Sequence, residues 1–509
     1  MRKFAMLVLV MVGIVLSGGL LGGVALAADD ETEFIFLVHQ DWKGFDPRIQ
    51  LEVNGRWMAQ FLYNGLVRAN PDTWEIEPDL ALSWENPDPT TYIFHLRQDV
   101  TFHDGVKMTA ADVKYTFDSV NDPATLAVGF SANLEAIESV TIIDDYTVEM
   151  KLKRPFAPIL NYLRLPIVPK HICEANPDQL STDPIGTGPM KFVELVSLSH
   201  LILEANDDYF GGQPAIDRFV FKTVLEDSSR LLQVQAGDAD AALSPPIKRI
   251  AELTANPDLG IVSAPSPSII YGWVDCATKP FNDKRVRQAM MYAIDTEEVS
   301  LICTDGLYRR QNSFILDSSW AYNPDVNPYD QDLEKGRQLL AEAGVPEGFQ
   351  FVYTTDYHWR SQPELEVTAQ QFQEIGLEPL LDIRHWNAVW PGMKAGLLTA
   401  VMGMGHGNIL DPDEQLYRQF HSSMQPPFGW NYGHYVNPEV DRLLDEARAT
   451  VDRDARKALY FEVQLIINED CAQFPLYSSV TNVVFDATEW EHVPYNDITY
   501  FYELIMEAH

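Results

Sequence analysis

The sequence predicts a large mixed α/β protein with more than one packed unit, and three observations support this prediction. The chain has 509 residues, about 3.4 times the length of a typical ~150-residue domain. Its composition, with 46% hydrophobic and 22% charged residues, is that of an ordinary globular protein. Segments with strand-like and helix-like hydrophobic patterns alternate along the chain, and no low-complexity linker separates them. A single small module, a disordered chain and a fibrous protein are therefore excluded.

The chain begins with the features of a secretory signal peptide. Arg2 and Lys3 precede an uncharged stretch that ends in Ala25-Leu26-Ala27, the small-x-small form of a signal peptidase site. We therefore predict that residues 1–27 are a signal peptide cleaved near Ala27, and that the mature protein is periplasmic. An uncleaved anchor helix is the alternative, because the apolar stretch is nearly long enough to span a bilayer. The glycines within the stretch argue against that alternative.

The cysteines argue against the common cysteine-based sites. They are widely spaced and form no C-x-x-C motif, as a zinc ribbon or a thioredoxin-like site would require. None of them follows the signal peptide directly, so the cysteine that would carry a lipid anchor is absent. Export permits disulfides, and the spacing leaves all three pairings open. The four cysteines are Cys173, Cys276, Cys303 and Cys471.

The chain is strongly acidic, which limits its partners. Its 37 Lys and Arg residues against 74 Asp and Glu residues give a net charge of −37. A duplex nucleic acid or an anionic membrane surface would be repelled over most orientations. We therefore predict no nucleic-acid partner. Solubility explains the acidity more simply than the attraction of a cationic ligand does.

Hydrophobic periodicity places strands and helices in order along the chain. Thr109 and Asp112 resemble a capping box with Asp in the Glu position, and Val113, Phe117 and Val120 then share one helix face. Strands rich in β-branched and aromatic residues are predicted at 92–96, 147–152, 219–224 and 349–353. Further amphipathic helices are predicted at 331–343, 363–375, 439–449 and 454–467, the first two ending before Gly344 and Gly376.

Catalytic motifs are absent from the sequence. A secreted hydrolase is the natural enzyme hypothesis for an exported chain, and it would need an activated nucleophile or a metal. The chain has no G-x-S-x-G, H-E-x-x-H or P-loop motif, and no G-x-G-x-x-G motif at a strand–helix junction. His406, His421 and His434 lack the close spacing of metal ligands. We therefore predict a protein that is not an enzyme, with no metal and no cofactor; a secreted hydrolase is the alternative.

Five blocks of sequence carry a family resemblance. The first runs from Glu77 to Val113 and contains E-P-D-L-A-L-S-W-E, Y-I-F-H-L-R, V-T-F-H-D-G and T-A-A-D-V. The others are Gly186–Met190, Asn206–Gly212, Phe281–Ala289 and Asn437–Asp441. In this order the blocks resemble family 5 of the bacterial extracellular solute-binding proteins. Met190 departs from the pattern, since the family's "GTGPY" turn usually ends in Tyr or Phe.

The resemblance implies a bilobal α/β periplasmic binding protein of the class II or cluster C type, with an additional subdomain in the first lobe. It also implies a monomeric substrate-binding subunit of an ABC importer. That subunit captures a peptide-like or other small organic solute by hinge closure and delivers it to an inner-membrane permease. A nickel-chelate or opine-type receptor of the same family and a ligand sensor feeding a chemoreceptor are alternatives. The expected boundaries are 29–274 plus 477–509 for lobe one, about 80–195 for its subdomain, 275–476 for lobe two, and crossings at 271–273 and 477–479.

The first ligand-binding candidates follow from the resemblance and from aromatic residues near the predicted cleft. Gln40 and Trp42 follow the first strand, where the family presents groups to the ligand, although a packed structural role suits Trp42 equally well. Tyr271 and Trp273 lie at a predicted crossing and share one strand face. Arg360 lies near the position where some members place an arginine for a ligand carboxylate. A surface arginine before a helix is the alternative for Arg360.

Two further tryptophans are candidates on the basis of spacing. Trp386 and Trp390 are four residues apart, so they share a face if the segment is helical. Such a face serves a core as well as a cleft, and both interpretations stay open.

The segment from Met404 to Pro412 departs from peptide-binding members of the family. Those members commonly carry a Trp and, three residues later, an Asp that pairs with the ligand's α-ammonium, and this chain has Gly405 and Asn408 there. An amide oxygen still accepts a hydrogen bond but lacks the charge-assisted strength of a carboxylate. A free-amine peptide is therefore less favoured, and a non-peptide or end-blocked ligand is more favoured. His406 and Asp411 are further candidates, although an Asp before proline is more typical of a helix cap.

Overall fold

A computed structural model of the chain describes residues 32–49, 53–70, 73, 75–120, 122, 125, 134–356, 361–406, 411–495 and 501–507. The predicted signal peptide, Arg360 and Asn408 lie outside these residues. The strands are β1 (Glu33–Val38), β2 (Val67–Ala69), β3 (Ile76–Pro78), β4 (Ala81–Asp88), β5 (Thr91–Leu96), β6 (Ile137–Asp144), β7 (Thr147–Leu152), β8 (Met190–Val196), β9 (His200–Ala205), β10 (Arg218–Thr223), β11 (Ala241–Leu243), β12 (Leu259–Val274), β13 (Tyr308–Arg310), β14 (Phe349–Asp356), β15 (Leu377–Arg384), β16 (Ala400–His406) and β17 (Phe474–Asp486).

Helices cover the faces of the sheets. The α-helices are α1 (Val53–Leu62), α2 (Ala110–Val120), α3 (Ile159–Tyr162), α4 (Lys170–Ala175), α5 (Asp227–Gln235), α6 (Ile250–Thr254), α7 (Lys284–Ala293), α8 (Thr296–Thr304), α9 (Leu333–Ala343), α10 (Ser361–Glu374), α11 (Trp386–Lys394), α12 (Pro412–Phe420), α13 (Pro438–Ala449), α14 (Arg453–Glu469) and α15 (Tyr502–Met506). Short 3-10 helices lie at Gln179–Ser181, Ile247–Arg249 and Ser422–Met424.

Two long strands run through the centre of the largest sheet. Its strand order is β15-β14-β16-β12-β17-β11-β1-β10-β9-β8, with β13 paired to β17 at the side. β12 and β17 pair antiparallel from Leu259 to Pro265 and again from Ile269 to Gly272, and the register shifts between these two stretches. The two strands therefore join two halves of one sheet, and their ladder is interrupted at residues 266–268.

The strand directions on the two sides of this interruption are opposed. β1 is parallel to β10 and β11, and it runs in the direction of β12 because β11 and β12 are both antiparallel to β17. β16 is antiparallel to β12, while β14 is parallel to both β15 and β16. The carboxyl ends of β1, β10 and β11 therefore point toward the interruption from one half. The carboxyl ends of β14, β15 and β16 point toward it from the other half.

Each part of the fold has its own hydrophobic core. The first half of the large sheet buries Phe34 and Phe219 with their neighbours. In the second half, alternate residues of β12 face opposite ways, so that Val274 enters one core and Trp273 another. The four-stranded sheet β4-β5-β7-β6 and α2 enclose a further core that includes Phe94. Separate cores are what independent lobes and a subdomain require.

The predicted strands and helices are confirmed to within a few residues. Asp112 accepts a hydrogen bond from the backbone N–H of Thr109 at 2.9 Å, as expected for a capping box. Gly344 ends α9 with a φ of 72°, a left-handed cap. In α14 the sequence pattern predicts that Leu459, Val463 and Ile466 point inward, and all three pack against the core, although Tyr460 and Ile467 are buried more deeply than Leu459 and Ile466. Tyr460 can be buried because its hydroxyl accepts a hydrogen bond from Arg456 at 2.8 Å.

The turn at Gly186–Pro189 fastens two distant blocks together. The backbone N–H of Gly186 donates to Nδ1 of His103, and Nε2 of His103 donates to the carbonyl of Gly188 at 3.1 Å. The backbone N–H of His103 donates in turn to the carbonyl of Gly186 at 2.8 Å. A neutral imidazole with its proton on Nε2 satisfies all of these bonds. The H-D-G and G-T-G-P blocks thus form one structural joint.

We expect this joint to weaken in acid. Burial lowers the pKa of His103 to about 4, below its unfolded value of about 6.5. The unfolded chain therefore binds the proton first, and the contribution of neutral His103 is present above about pH 6.5 and is lost between about pH 6.5 and 4. In urea titrations, the stability advantage of the wild type over a His103→Gln variant should shrink by about 3 kcal/mol between pH 7 and pH 4.

The comparison with His103→Gln removes the main competing effect. Burial raises the pKa of Asp79 to about 6, so Asp79 contributes stability in the opposite direction over the same pH range. Asp79 is present in both proteins, and its contribution cancels in the difference. A difference that does not change with pH would contradict the neutral-histidine assignment.

Candidate functional site

The candidate site is the crevice at the interruption of the β12–β17 ladder. Ligands of open α/β sheets bind outside the carboxyl ends of the strands, and here two such sets of ends face each other. When the strand register is followed from β1 across β11 and β17 to β12, Leu37 near the end of β1 lies level with Ile261 of β12. His406 at the end of β16 pairs with Ile269 of β12. The eight-residue separation along β12 corresponds to about 26 Å at about 3.3 Å per residue. This spacing accommodates a small organic molecule or a short peptide together with the loops that hold it.

Four predicted aromatic residues meet on one side of β12. Tyr271 and Trp273 are fully buried in the same core cluster. The ring of Tyr432 lies 6.2 Å from Trp273 and 6.3 Å from Trp390, centroid to centroid. Trp386 stacks on Trp390 at 5.3 Å and is 38% exposed. The structure therefore joins these residues into one aromatic group whose exposed end is Trp386, at the start of α11.

Gln40 and Trp42 follow β1 but differ in burial. Trp42 is 5% exposed and packs against Phe221 at 5.3 Å in the core of the first half, as in the packed alternative. Gln40 is exposed, and its Nε2 lies 3.1 Å from Nε2 of His39. Gln40 is therefore the more accessible of the two, and a ligand role for either residue stays a prediction.

Asp411 is held by the protein itself. Its carboxylate accepts from the backbone N–H of Asp413 at the start of α12 at 2.9 Å and pairs with both terminal nitrogens of Arg456. It also accepts from Nδ2 of Asn161 at 3.0 Å. The side chains of Asp411 and Arg456 are each 7% exposed. Capping and ion pairing thus occupy this carboxylate, which matches the helix-cap alternative.

The remaining predicted residues are described only in part. His406 is the last residue of β16, opposite Ile269. Arg360 and Asn408 follow β14 and β16, adjacent strands whose carboxyl ends point to the crevice, and they lie outside the described residues. Their ligand roles stay predictions.

Sequence reasoning missed several polar residues of this region. Gln415 and Gln419 lie on α12 and are at most 1% exposed, yet within the described residues Nε2 of each has no hydrogen-bond partner. Their i, i+4 spacing beside Leu416 and Phe420, on a helix that follows β16, is the signal that could have found them. Tyr432 was missed because its contacts with Trp273 and Trp390 join distant parts of the chain.

The family comparison agrees with this geometry. The model of "Bacterial extracellular solute-binding proteins, family 5 Middle" matches residues 75–426. The chain belongs to this family. Its resemblance to family 5, inferred from five sequence blocks, is thereby confirmed, and so is the mixed α/β, bilobal binding-protein fold class.

Similar family 5 proteins differ widely in their ligands. Heme-binding protein A of Haemophilus influenzae is 28% identical over 88% of this chain and 87% of its own length. The periplasmic binding protein DppA of Helicobacter pylori, solved with the peptide STSA, is 27% identical with a TM-score of 0.79, covering 89% of this chain and 94% of its own. NikZ of Campylobacter jejuni, solved with Ni(L-His), is 25% identical with a TM-score of 0.78, covering 89% and 94%. The fold is therefore common to receptors of different chemistry.

The described part of this family 5 protein shows neither a clustered metal site nor a membrane-spanning helix. Within the described residues no three His, Cys, Asp or Glu side chains form a group that could hold a metal ion. No helix in the described ranges combines the length and the apolar character needed to cross a bilayer. The four cysteines are free thiols, and three of them are buried.

Proposed function

We propose that this protein is the periplasmic substrate-binding subunit of an ABC importer, working as a monomer. It captures a small organic or peptide-like solute between two lobes and passes the solute, chemically unchanged, to an inner-membrane permease. The observation that carries the proposal is that the carboxyl ends of two groups of strands face each other across the crevice. In the described sheet, only the two long strands β12 and β17 join the two halves. A ligand that contacts both halves stabilises the closed form by its extra contacts there.

The interruption of the ladder supports a position for the hinge. On β17 the interrupted pairing falls between Ser478 and Val480, within the predicted crossing at 477–479. On β12 it falls at residues 266–268, a few residues before the predicted crossing at 271–273. We therefore place the first boundary of lobe one near residue 267 rather than 274. Tyr271 and Trp273 then belong to lobe two, where they form part of its aromatic wall.

The experiment that tests this proposal begins with whatever solute co-purifies with the protein. Mass spectrometry identifies the solute, and small-angle scattering is then measured on the stripped and the reloaded protein. We expect a smaller radius of gyration after reloading and recovery of an unaltered solute. Identical scattering at saturation would contradict hinge closure, and recovery of cleaved solute would favour the alternative of a secreted hydrolase.

A substitution at Asn408 tests the predicted ligand chemistry. Hydrogen bonds to a charged group contribute about 1.5–3 kcal/mol, against about 0.5–1.5 kcal/mol for neutral pairs. An Asn408→Asp variant should therefore bind the free-amine tripeptide alanyl-phenylalanyl-alanine about tenfold more tightly than the wild type does. Calorimetry with the N-acetylated tripeptide is the control, since this peptide lacks the ammonium. An equal gain for both peptides, or no gain, would contradict the assignment of Asn408.

A further inference from the structure

A corner of the second half of the sheet combines two cations with aromatic walls. The ammonium of Lys394 lies 5.0 Å from the centroid of Trp390, and the guanidinium of Arg418 lies 4.2 Å from that of Trp430. The backbone of residue 430 links the two sides, because its N–H donates to the carbonyl of Arg418 at 2.8 Å and its carbonyl accepts from Tyr432 at 2.8 Å. We call this group the cationic–aromatic corner; its members are Trp273, Trp390, Lys394, Arg418, Trp430 and Tyr432.

Two donors in the corner lack acceptors. Trp273 and Tyr432 are each 1% exposed, and their rings stack 6.2 Å apart. Within the described residues, Nε1 of Trp273 and the hydroxyl of Tyr432 are buried without a hydrogen-bond partner. A buried polar group left unpaired loses its hydration without gaining a hydrogen bond, which is unfavourable. Two such groups side by side indicate a position that an acceptor fills.

The charges of the corner are also incompletely balanced. Lys394 forms no ion pair within the described ranges, and Arg418 has Glu414 only at 3.9 Å. Burial and the neighbouring charge of Arg418 lower the pKa of Lys394. Asp275, two residues after Trp273, is already engaged by His434 at 3.0 Å. In a chain with a net charge of −37, a lysine without an ion pair in the described ranges, beside an arginine whose ion pair is long, is unexpected.

The corner has an approach from the crevice side. α11 begins directly after the carboxyl end of β15, and Trp386 in its first turn is 38% exposed and stacks on Trp390. Lys394 lies four residues after Trp390, one helical turn further along the same face. The aromatic face therefore runs from the crevice toward the two cations.

We propose that this corner binds an anionic oxygen group of the captured solute, either a carboxylate or a phosphate. Every polar side-chain atom of Trp273, Lys394 and Arg418 is a donor, and the hydroxyl of Tyr432 can also donate. The buried rings of Trp273 and Tyr432 lower the local dielectric constant, which strengthens the attraction between a bound anion and the two cations. This inference rests on the proposed function for the identity of the occupant, but the anion site itself can be tested without a solute. A bound water is the competing occupant: it would satisfy the two orphan donors and leave the cations unbalanced.

The first test uses bromide as an inorganic probe. Crystals of the full mature protein are soaked in sodium bromide, and anomalous scattering locates the ions. We expect a bromide in contact with Nε1 of Trp273 or Nζ of Lys394, and its loss in a Lys394→Met variant. A water at this position while bromide occupies other sites would overturn the proposal. Lys457→Met is the matched control, because Lys457 also lies over an aromatic ring, Phe461, at 5.2 Å.

The second test uses matched organic probes. Calorimetry compares N-acetyl-alanyl-phenylalanyl-alanine with its carboxamide, and phenyl phosphate with phenol. We expect the anionic member of at least one pair to bind about tenfold more tightly, a preference that Lys394→Met reduces to less than about threefold and Lys457→Met retains. Equal binding of acid and neutral members in both pairs would overturn the proposal.

The two tests separate failure of the corner from failure of the receptor. Bromide bound at the corner of a protein that binds no organic solute would support the anion site and contradict the importer function. A bound solute with no preference for the anionic probes and no bromide at the corner would support the receptor and overturn the anion site.

Discussion

An Arg456→Met variant is expected to lose about 3–5 kcal/mol of unfolding free energy. The guanidinium of Arg456 pairs with both oxygens of Asp411, and both side chains are 7% exposed. Removing the arginine leaves a buried carboxylate without its counter-ion, and desolvation of that charge is the main cost. Methionine keeps the length and much of the volume of the side chain, so packing changes little. Urea denaturation at pH 7 measures the loss.

Arg453→Met is the matched control on the same helix. Arg453 pairs with Glu75 at 2.9 Å, but the two side chains are 53% and 61% exposed. Exposed ion pairs contribute at most about 1 kcal/mol, so this variant should stay close to the wild type. If both variants lose the same small amount, the buried pair is not the stabilising element that we describe.

A Gly186→Val variant is expected to destabilise the protein by more than about 4 kcal/mol, enough to prevent accumulation of folded protein. A Cβ at this position would lie 1.8 Å from the carbonyl oxygen of Leu62 and 2.6 Å from the ring of Tyr63. The carbonyl belongs to α1 and accepts a hydrogen bond from Gly188 at 3.0 Å. The backbone of Leu62 cannot move aside without breaking its hydrogen bond with Gly188, so a change of side-chain rotamer does not relieve the strain.

Gly105→Ala is the control for this prediction. Gly105 has a φ of +84°, and a Cβ there meets nothing within 4 Å. Its cost is therefore only conformational, about 1–2 kcal/mol. Soluble yield and urea midpoints of the two variants measure the difference. Similar stability of the two variants would show that the approach of Gly186 to Leu62 is not tight.

The buried ion pair also bears on the ligand. Because Asp411 is committed to Arg456, to the helix start and to Asn161, its carboxylate is not the free acceptor that a peptide ammonium needs. Together with the prediction that Asn408 replaces the usual aspartate, this favours the proposal of a ligand that does not depend on a free amino terminus. The anion site proposed at the cationic–aromatic corner further implies that this ligand carries an anionic group.

Local features were predictable because their causes lie within a few residues of one another. The capping box at Thr109 and the left-handed cap at Gly344 each follow from backbone hydrogen bonds between sequence neighbours. The positions of strands such as β5 and β7 were predictable because these segments are rich in β-branched and aromatic residues. The predicted inward residues of α14 do pack on the core, but the deeper burial of Tyr460 was not predicted, because it depends on a hydrogen bond from a buried arginine that periodicity does not reveal.

By itself, the sequence determined the α/β class, the order of its elements and the family, because these depend on local periodicity and on contiguous motifs. Only the tertiary structure decided that Asp411 binds Arg456 and Asn161, and that Trp390, which lies under Lys394, packs against Tyr432. These groups come from segments up to 250 positions apart. The strand order β15-β14-β16-β12-β17 and the helices packed on it bring them together. Sequence spacing carries no record of which distant segments a sheet will place side by side.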